Sequence, residues 1–589
     1  MRRIWLCAAT IFAFGSASYA QTIYPIDRAE ILVGARFDVK VEFPGLVSPE
    51  NVKITINGAD SSGVFGKAAQ FVEKEDGKDQ SALIWRDVSL DRPGAYAVQV
   101  SSSGVVRDLV WTVYDTGPRK AKNVILLIGD GLSPAHRVAA RLLSKGIAEG
   151  KARGKLAMDD MPHMAMVATA GLDSIITDSA NSASAYATGH KTANAALGVY
   201  PDRTADPFDD PKVETISSLV KRRGLSVGIV TNTELQDATP AAMIAHTRRR
   251  ATYDEITEQF FNVKPDVLMG GGAANFLPKG VAGAKRRDET DFVAKFKVEG
   301  YAYAANATEL AALPADTRRL LGLFNNGNMD GVLDRKFLKR GSVPRFPDQP
   351  DLTELTSAAL QVLSQNPNGF FLMVESGMID KYTHLLDMER AVYDTILLDN
   401  VVRLVRDWAK ARGDDTLILV LADHNHPVGL IGTVDDDMSA TPNAPIRERV
   451  RMYEKAGFPN YPAPDEAGYP SRVDVSRRLA MFAASLPEHD ETLRPRLDNP
   501  RELTAPGKEP DTFAAIERSK DVPGAVPRFG NLPRFASASV HSGEDVILTA
   551  AGPGSEQVRG QIDNTEVFRI MAEALGLGQK QVSTSAATK

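Results

Sequence analysis

Cysteine is all but missing from this chain of 589 residues: Cys7 is the single one. It lies in an N-terminal apolar run, so a chain cleaved behind that run carries no thiol. Disulfide bracing and cysteine nucleophiles are thereby excluded. An excess of one charge is missing too. The 69 Lys and Arg stand against 75 Asp and Glu, a net charge of −6, which offers no basic surface to nucleic acid. Aromatic residues make up only 7%, so aliphatic side chains must build most of the core. No apolar run reaches the roughly 20 residues that span a bilayer.

What is present divides along the chain. Arg2 and Arg3 precede the apolar run IWLCAATIFAFG and the small residues around Ser18-Tyr19-Ala20. This order is that of a signal peptide over residues 1–20, cleaved after Ala20, and it predicts a periplasmic or secreted protein. Residues 21–117 carry short alternating segments (ARFDVKVEF, NVKITING, ALIWRDVSL, YAVQVSS, DLVWTVYD) between Gly, Pro, Asp and Ser. They predict a small all-β, immunoglobulin-like sandwich, a spacer or docking module.

From 118 to 576 the pattern changes. The continuous apolar runs NVILLIGDGLS, LSVGIVTNT, DVLMGGG, GFFLMVES and DTLILVLADH alternate with helical stretches such as DLTELTSAALQVLSQ. Such runs suit strands buried on both faces, and the alternation predicts an α/β fold with a doubly wound, mostly parallel sheet flanked by helices. Ligands in such folds gather at the carboxyl ends of the strands. Residues 430–535, rich in Pro, Arg and Asp, read as an insertion over one end of the core. Short helices are expected there at RERVRMYEKAG and SRRLAMFAASL. Residues 577–589 read as a flexible tail.

The chemistry-bearing residues sit where those strands end. Asp178-Ser179 opens a run of small residues, TDSANSASAYATGHKT, which reads as a helix start. A serine hydroxyl is a poor nucleophile until a base or a metal ionises it. Asp130 follows the first core strand, although Asp-Gly there is also simply a turn. ESGMIDKYTH supplies Glu375, Asp380 and His384, and the last two share one face if the segment is helical. Asp423, His424 and His426 follow the strand LILVLA, and His541 stands in VHSGED just before another strand. Singly each of these reads as structural. Together they gather the carboxylate and imidazole ligands that zinc takes. ELQDATPAAMIAHTRRR adds Asp237 and Thr239, oxygen donors suited to a hard cation. The same segment ends in Arg248, Arg249 and Arg250, any of which could grip phosphate bidentately. A cation closing a helix-like run needs no function at all.

In order, IGDG, TDSA-x-SA-x-A-x-x-TG-x-KT, ELQDATPAA, VE-x-x-x-IDK-x-x-H, ADH-x-H and H-S-G resemble the motifs of the bacterial, metal-dependent serine alkaline phosphatases, over about 120–425 and 536–576. The resemblance implies a phosphate-monoester hydrolase with a phosphoserine intermediate on Ser179. It implies two zinc ions, one held by Asp380, His384 and His541 and the other by Asp130, Asp423 and His424. It also implies one magnesium ion on Asp130, Thr239 and Glu375. Arg250, thirteen residues after Asp237, matches the family's phosphate-binding arginine, with Asp178 steadying it. Asp237 and Lys381 match the variant that has Asp and Lys beside the ligands, and His426 would orient a ligand carboxylate. Small-molecule phosphate monoesters are the implied substrates, and a homodimer is a possible assembly.

The sandwich and the long insertion lie outside the basic pattern of the family. Two other enzymes compete with this reading, and so does a non-enzyme. A phosphodiesterase or nucleotide pyrophosphatase of the same superfamily would lack Thr239, Glu375 and Arg250. A sulfatase would need a modifiable residue in an x-Pro-x-Arg context, whereas Ala-Asn-Ser follows Ser179. A binding protein on a retired phosphatase core would not need a full ligand set.

Overall fold

The computed structural model describes residues 21–437, 446–492, 494–516 and 525–578. The expected signal peptide and most of the expected tail lie outside the described residues.

The apolar runs form one ten-stranded sheet. Its strand order is Ala302–Ala304, Leu320–Leu323, Val267–Gly271, Ser226–Glu234, Phe370–Ser376, Asn123–Gly129, Thr416–Leu421, Val546–Ala551, His163–Ala168 and Arg559–Asp563. Every pairing is parallel except the two made by Val546–Ala551. The three central strands are covered on both faces, which is why they are apolar throughout: Val124 to Ile128, Phe370 to Val374 and Leu417 to Leu421 are all buried. Each such side chain contributes on the order of 2 kcal/mol of apolar burial. The helices Leu352–Leu363, Met388–Lys410, Ser179–Thr188 and Asn564–Leu575 flank the sheet. The first and last start at capping boxes, Asp351 with Glu354 and Asp563 with Glu566, which satisfy the free amides of their first turns.

Register builds the site. Ile128 pairs with Glu375 on one side and Leu421 on the other. Parallel strands in that register deliver Asp130, Glu375 and Asp423 to the same sheet edge.

The β-rich unit consists of two sheets. One has the order Thr22–Tyr24, Phe37–Glu42, Ala82–Val88, Gln70–Val72. The other has the order Glu30–Leu32, Val105–Tyr114, Gly94–Ser102, Val52–Ile56, Ala59–Asp60. Their pairings are antiparallel apart from Glu30–Leu32 with Val105–Tyr114. Phe37, Val41, Trp85, Val100 and Trp111 share one core, which Tyr200 and Val213 of the α/β part also enter.

The insertion departs from expectation. SRRLAMFAASL is not helical: Arg477–Ala483 is a strand, antiparallel to Val428–Asp435. RERVRMYEKAG splits into a short helix Ile446–Arg449, a strand Val450–Arg451 and a 3-10 turn Tyr453–Lys455. The reason is tertiary. Val428–Asp435 leaves the core with both edges free, and pairing of its backbone outweighs the local helical preference of Arg, Ala and Met.

Candidate active site

Ser179 occupies the first position of the helix Ser179–Thr188. Asp178 caps that helix: its Oδ1 accepts from the amides of Ala180 at 2.7 Å and Asn181 at 3.2 Å, and Asn181 Oδ1 accepts in return from the Asp178 amide at 2.9 Å. The helix is buried on every face, which its Ala and Ser content permits. Ser182 Oγ donates to the Asp423 carbonyl at 2.5 Å and Tyr186 donates to the Ala422 carbonyl at 2.8 Å. These two bonds pin the helix start against the strand end that bears Asp423 and His424. Ser179 Oγ then lies 3.2 Å from His424 Nε2.

Around that pair, acids and imidazoles converge in two groups. His424 Nε2 lies 3.1 Å from Asp130 Oδ1 and 3.3 Å from Asp423 Oδ2. Asp380 Oδ1 lies 3.2 Å from His384 Nε2, 3.6 Å from His541 Nε2 and 2.6 Å from His426 Nε2. Asp380 and His384 are one turn apart on the helix Met378–His384, as their spacing requires. Asp380 belongs to both groups of candidate metal ligands, one with His384, His426 and His541 and the other with Asp130 and His424.

The donor chemistry fits cations. His384 Nδ1 lies 2.5 Å from the Ser539 carbonyl and His541 Nδ1 lies 2.9 Å from the Thr177 carbonyl. A carbonyl only accepts, so both Nδ1 atoms carry a proton, and Nε2 is the ring nitrogen left free to lose its proton to a cation. Those two Nε2 atoms face each other at 3.2 Å beside Asp380 Oδ1; burial opposes charge on His384, but the Asp380 carboxylate outweighs it and shifts that imidazole up. Nearby, Asp130 Oδ1, Asp423 Oδ2 and Thr239 Oγ1 are buried without hydrogen-bond partners. Burial, then the neighbouring Asp130 carboxylate, pushes Asp423 up to about 7. Burial pushes Glu375 up to about 7 as well, against its bond from Thr231. Asp130 is likewise raised by burial and by Asp380. Burial also opposes charge on Asp380, but the adjacent His384 and Lys381 outweigh it and hold that carboxyl well below the usual range. Burial keeps His424 neutral, lowered to about 4. A set of buried carboxylates crowded together beside imidazoles, with His424 kept neutral, is suited to divalent cations.

A sequence model of the alkaline phosphatase family matches residues 121–577. The chain belongs to the alkaline phosphatase family. The match runs through the insertion and so extends past the segments that carry the motifs. Alkaline phosphatase H of Pseudomonas aeruginosa is 36% identical over 352 residues, 53% of this chain and 71% of that relative. Alkaline phosphatase 3 of Bacillus subtilis is 28% identical over 466 residues, 77% of this chain and 89% of that relative. The crystal structure of Thermus thermophilus alkaline phosphatase has the same fold, with a TM-score of 0.54 at 24% identity over 79% of this chain and 93% of that one. This alkaline phosphatase is accordingly a phosphomonoesterase.

Among the three arginines, the structure separates what local sequence left open. Arg250 extends to the site, its Nη2 2.6 Å from Asp237 Oδ1 and its Nη1 3.4 Å from Asp178 Oδ2. Arg248 instead points into the loop Asp202–Asp210. The helix that starts after Asp237 ends at Ala242, so Arg250 does not close a helical run and the helix-dipole account of it does not apply. Lys381 Nζ lies 2.8 Å from Asp237 Oδ2 and 3.4 Å from Asp380 Oδ2, so Asp237 bridges two cations and its carboxyl is held far down by them.

Several residues that shape this cluster carry no legible sequence signal. Thr231 and Thr233 both donate to Glu375 Oε2 and aim its carboxylate. The Ser539 and Thr177 carbonyls fix two imidazole tautomers, and any residue type supplies a carbonyl. His136 is buried with Nε2 3.1 Å from Thr383 Oγ1, on the helix that bears Asp380 and His384. Gly131 was legible only as half of an Asp-Gly turn. At φ +64 a Cβ there would sit 2.6 Å from His426 Cδ2, so only glycine lets the strand end approach the cluster.

Proposed function

We propose that this enzyme hydrolyses phosphate monoesters through a phosphoserine on Ser179. The observation that carries the reading is the 3.2 Å approach of Ser179 Oγ to His424 Nε2 inside a buried acid and histidine cluster. Asp380, His384 and His541 would hold one zinc ion, and Asp130, Asp423 and His424 a second. Asp130, Thr239 and Glu375, an all-oxygen set, would hold magnesium. Bound there, these ions supply Lewis acidity that stabilises both the attacking and the leaving oxygen of an in-line displacement.

The residues do the rest. Asp178 fixes the helix start, so Ser179 Oγ attacks phosphorus from a helix N-terminus that favours negative charge. The Oγ–P bond forms as the ester P–O bond breaks; the Ser179 hydroxyl proton passes to water, and the alcohol leaves with a proton drawn from water. Water then attacks phosphorus, the Oγ–P bond breaks, a proton of that water restores the Ser179 hydroxyl, and inorganic phosphate departs. Arg250 donates its two terminal nitrogens to the non-bridging oxygens of the phosphoryl group. Lys381 and Asp237 set the charge around that group, and His426 holds Asp380 in orientation. A monoester, with two charges to neutralise, fits this cationic end better than a diester with one charge and a second substituent.

We read residues 1–20 as a cleaved signal peptide and the protein as periplasmic or secreted. We read residues 21–117 as a separate β module and 430–535 as a cap over the catalytic domain. Arg496 Nη1 donates to the Leu385 carbonyl at 2.8 Å, and Arg390 Nη1 donates to the Arg496 carbonyl at 2.8 Å. These bonds set the insertion against the end of the helix that carries His384 and against the helix that follows it, which supports a role in substrate choice.

The test is a panel of aryl and alkyl monoesters, a diester and a sulfate ester, run with metal analysis and acid quenching. Monoester turnover, zinc and magnesium in the purified protein, and label trapped on Ser179 are expected. A clear diester preference, or label trapped on another residue, overturns the reading.

A further inference from the structure

Arg250 is gripped through its main chain by a segment that the β-rich unit holds from the other side. The Arg250 amide donates to the Ala195 carbonyl at 2.9 Å, and the Ala195 amide donates to Asp178 Oδ2 at 3.0 Å. One peptide thus locates both the guanidinium-bearing residue and the carboxylate beside it. Ala195 sits at φ +63, a left-handed conformation unfavourable for alanine that persists only where its surroundings enforce it. Two residues on, Leu197 and Thr247 exchange backbone hydrogen bonds at 2.7 and 3.0 Å, fixing the strand-like run that ends at Arg250.

The same segment continues to the loop Tyr200–Asp210, which is bound from both sides. From the catalytic side, Arg248 Nη1 donates to the Asp202 carbonyl at 2.7 Å and lies 3.2 Å from Asp210 Oδ1. From the β-rich unit, Lys40 Nζ lies 2.5 Å from Asp202 Oδ2, 2.8 Å from Glu75 Oε1 and 3.3 Å from Glu42 Oε1. Lys40 and Asp202 are buried, their side chains 1% and 0% exposed. Arg86, on the same unit, donates to the Asp209 and Asp210 carbonyls at 2.5 and 3.2 Å. Asp202, Asp209 and Asp210 gather their carboxylates closely enough to suggest a cation site. Lys40 and Arg248 already supply the positive charge, so the acids anchor a loop. Breaking such a pair leaves buried carboxylates without a counter-charge, and the loop must then move to find water.

We propose that Lys40, Asp202 and Arg248 are positioning residues for the phosphate-binding Arg250, and that the β-rich unit is through them a working part of the phosphate site. This rests on the reading of Arg250 as the phosphate clamp. The consequence is specific. Loosening the loop should weaken phosphate binding and leave the cation ligands alone, since Asp380, His384 and His424 stand on other elements.

The experiment is a double-mutant cycle read by the inhibition constant of inorganic phosphate, with KM, kcat and metal content measured alongside. Lys40→Met keeps the volume and removes the charge, and Arg248→Met breaks the loop from the other side should the first variant not fold. Either is expected to raise the phosphate inhibition constant and KM by roughly ten-fold, as a displaced binding group does, with metal content unchanged. In an Arg250→Ala background the same substitutions should add almost nothing, because residues acting through one group are not additive. Arg222→Met is the control. It crosses to the β-rich unit at the Gly34 carbonyl (3.1 Å) and pairs with Glu214, without touching the Ala195–Asp210 segment, and should leave phosphate binding as it was. Unchanged inhibition in Lys40→Met and Arg248→Met, or a full additional loss on top of Arg250→Ala, overturns the proposal. If Arg250→Ala itself leaves phosphate inhibition unchanged, it is the clamp reading that fails.

Discussion

Ser179 Oγ and His424 Nε2 lie 3.2 Å apart although 245 residues separate them in the chain. His424 Nε2 faces the Asp130 and Asp423 carboxylates as well, so the hydroxyl joins a cluster already gathered around that nitrogen. The hydroxyl cannot form phosphoserine if it is absent, while the ligand atoms do not depend on it. Ser179→Ala should therefore lower kcat on an aryl phosphate by on the order of 10³-fold or more, as loss of a nucleophile does. Zinc content by atomic absorption should match the parent protein. Substantial residual turnover would remove Ser179 from the role of nucleophile.

His426 Nε2 lies 2.6 Å from Asp380 Oδ1, the same oxygen that faces His384 and His541. An outer partner of this kind orients a ligand, and its removal typically costs 10- to 100-fold in metal affinity. For His426→Ala we expect zinc affinity to fall within about that range, with activity restored by added zinc. If added zinc restores nothing, His426 acts on the chemistry directly.

Stripping the cations should leave a pH signature. In the folded protein without cations, Asp423 and Glu375 are both pushed up to about 7 by burial and by their neighbours. Unfolded, they ionise near 4. The folded chain then binds more protons between pH 4 and 7, so the stability of the chelated protein erodes as pH rises through that window. Bound cations reverse the penalty. The gap in urea midpoint between metal-loaded and chelated protein should widen from pH 5 to pH 8, and a constant gap would show that these carboxyls do not feel the cations.

A second titration lies away from the cluster. His190 is buried with Nδ1 2.7 Å from the Tyr200 hydroxyl and its ring edge-on to that tyrosine. Burial lowers it to about 4 from 6.5. Here the unfolded chain binds more protons between those values, so stability falls as pH drops from 6.5 to 4, by on the order of 3 kcal/mol for this group. His190→Phe keeps the ring and removes the titration, so its stability should fall less steeply over the same range in urea titrations. A slope equal to that of the parent would place the acid sensitivity elsewhere, with His136 the next candidate, lowered to about 3 by burial.

How much could be read in advance depended on the kind of physical cause. The apolar runs became the central strands because burial on both faces demands uninterrupted aliphatic sequence. Asp380 and His384 met because helical periodicity is local. SRRLAMFAASL became a strand because its partner, Val428–Asp435, lies more than forty residues away, beyond the reach of local propensity. Arg248, Arg249 and Arg250 were equal on local residue type, and only the family resemblance singled out Arg250. The bonds to Asp202 and Asp237 supply the physical reason: Arg248 is spent on a loop and Arg250 reaches the cluster.

The sequence by itself determined the layered α/β core, the capped serine and the inventory of acids and histidines, because these follow from residue type and short-range period. The tertiary structure alone decided their convergence. Parallel register brings Asp130, Glu375 and Asp423 to one sheet edge, and carbonyls at Ser539 and Thr177 turn two imidazole Nε2 atoms toward Asp380. A buried lysine of the β-rich unit grips the loop leading to Arg250. Such contacts link residues far apart in the chain, and only packing brings them within bonding distance.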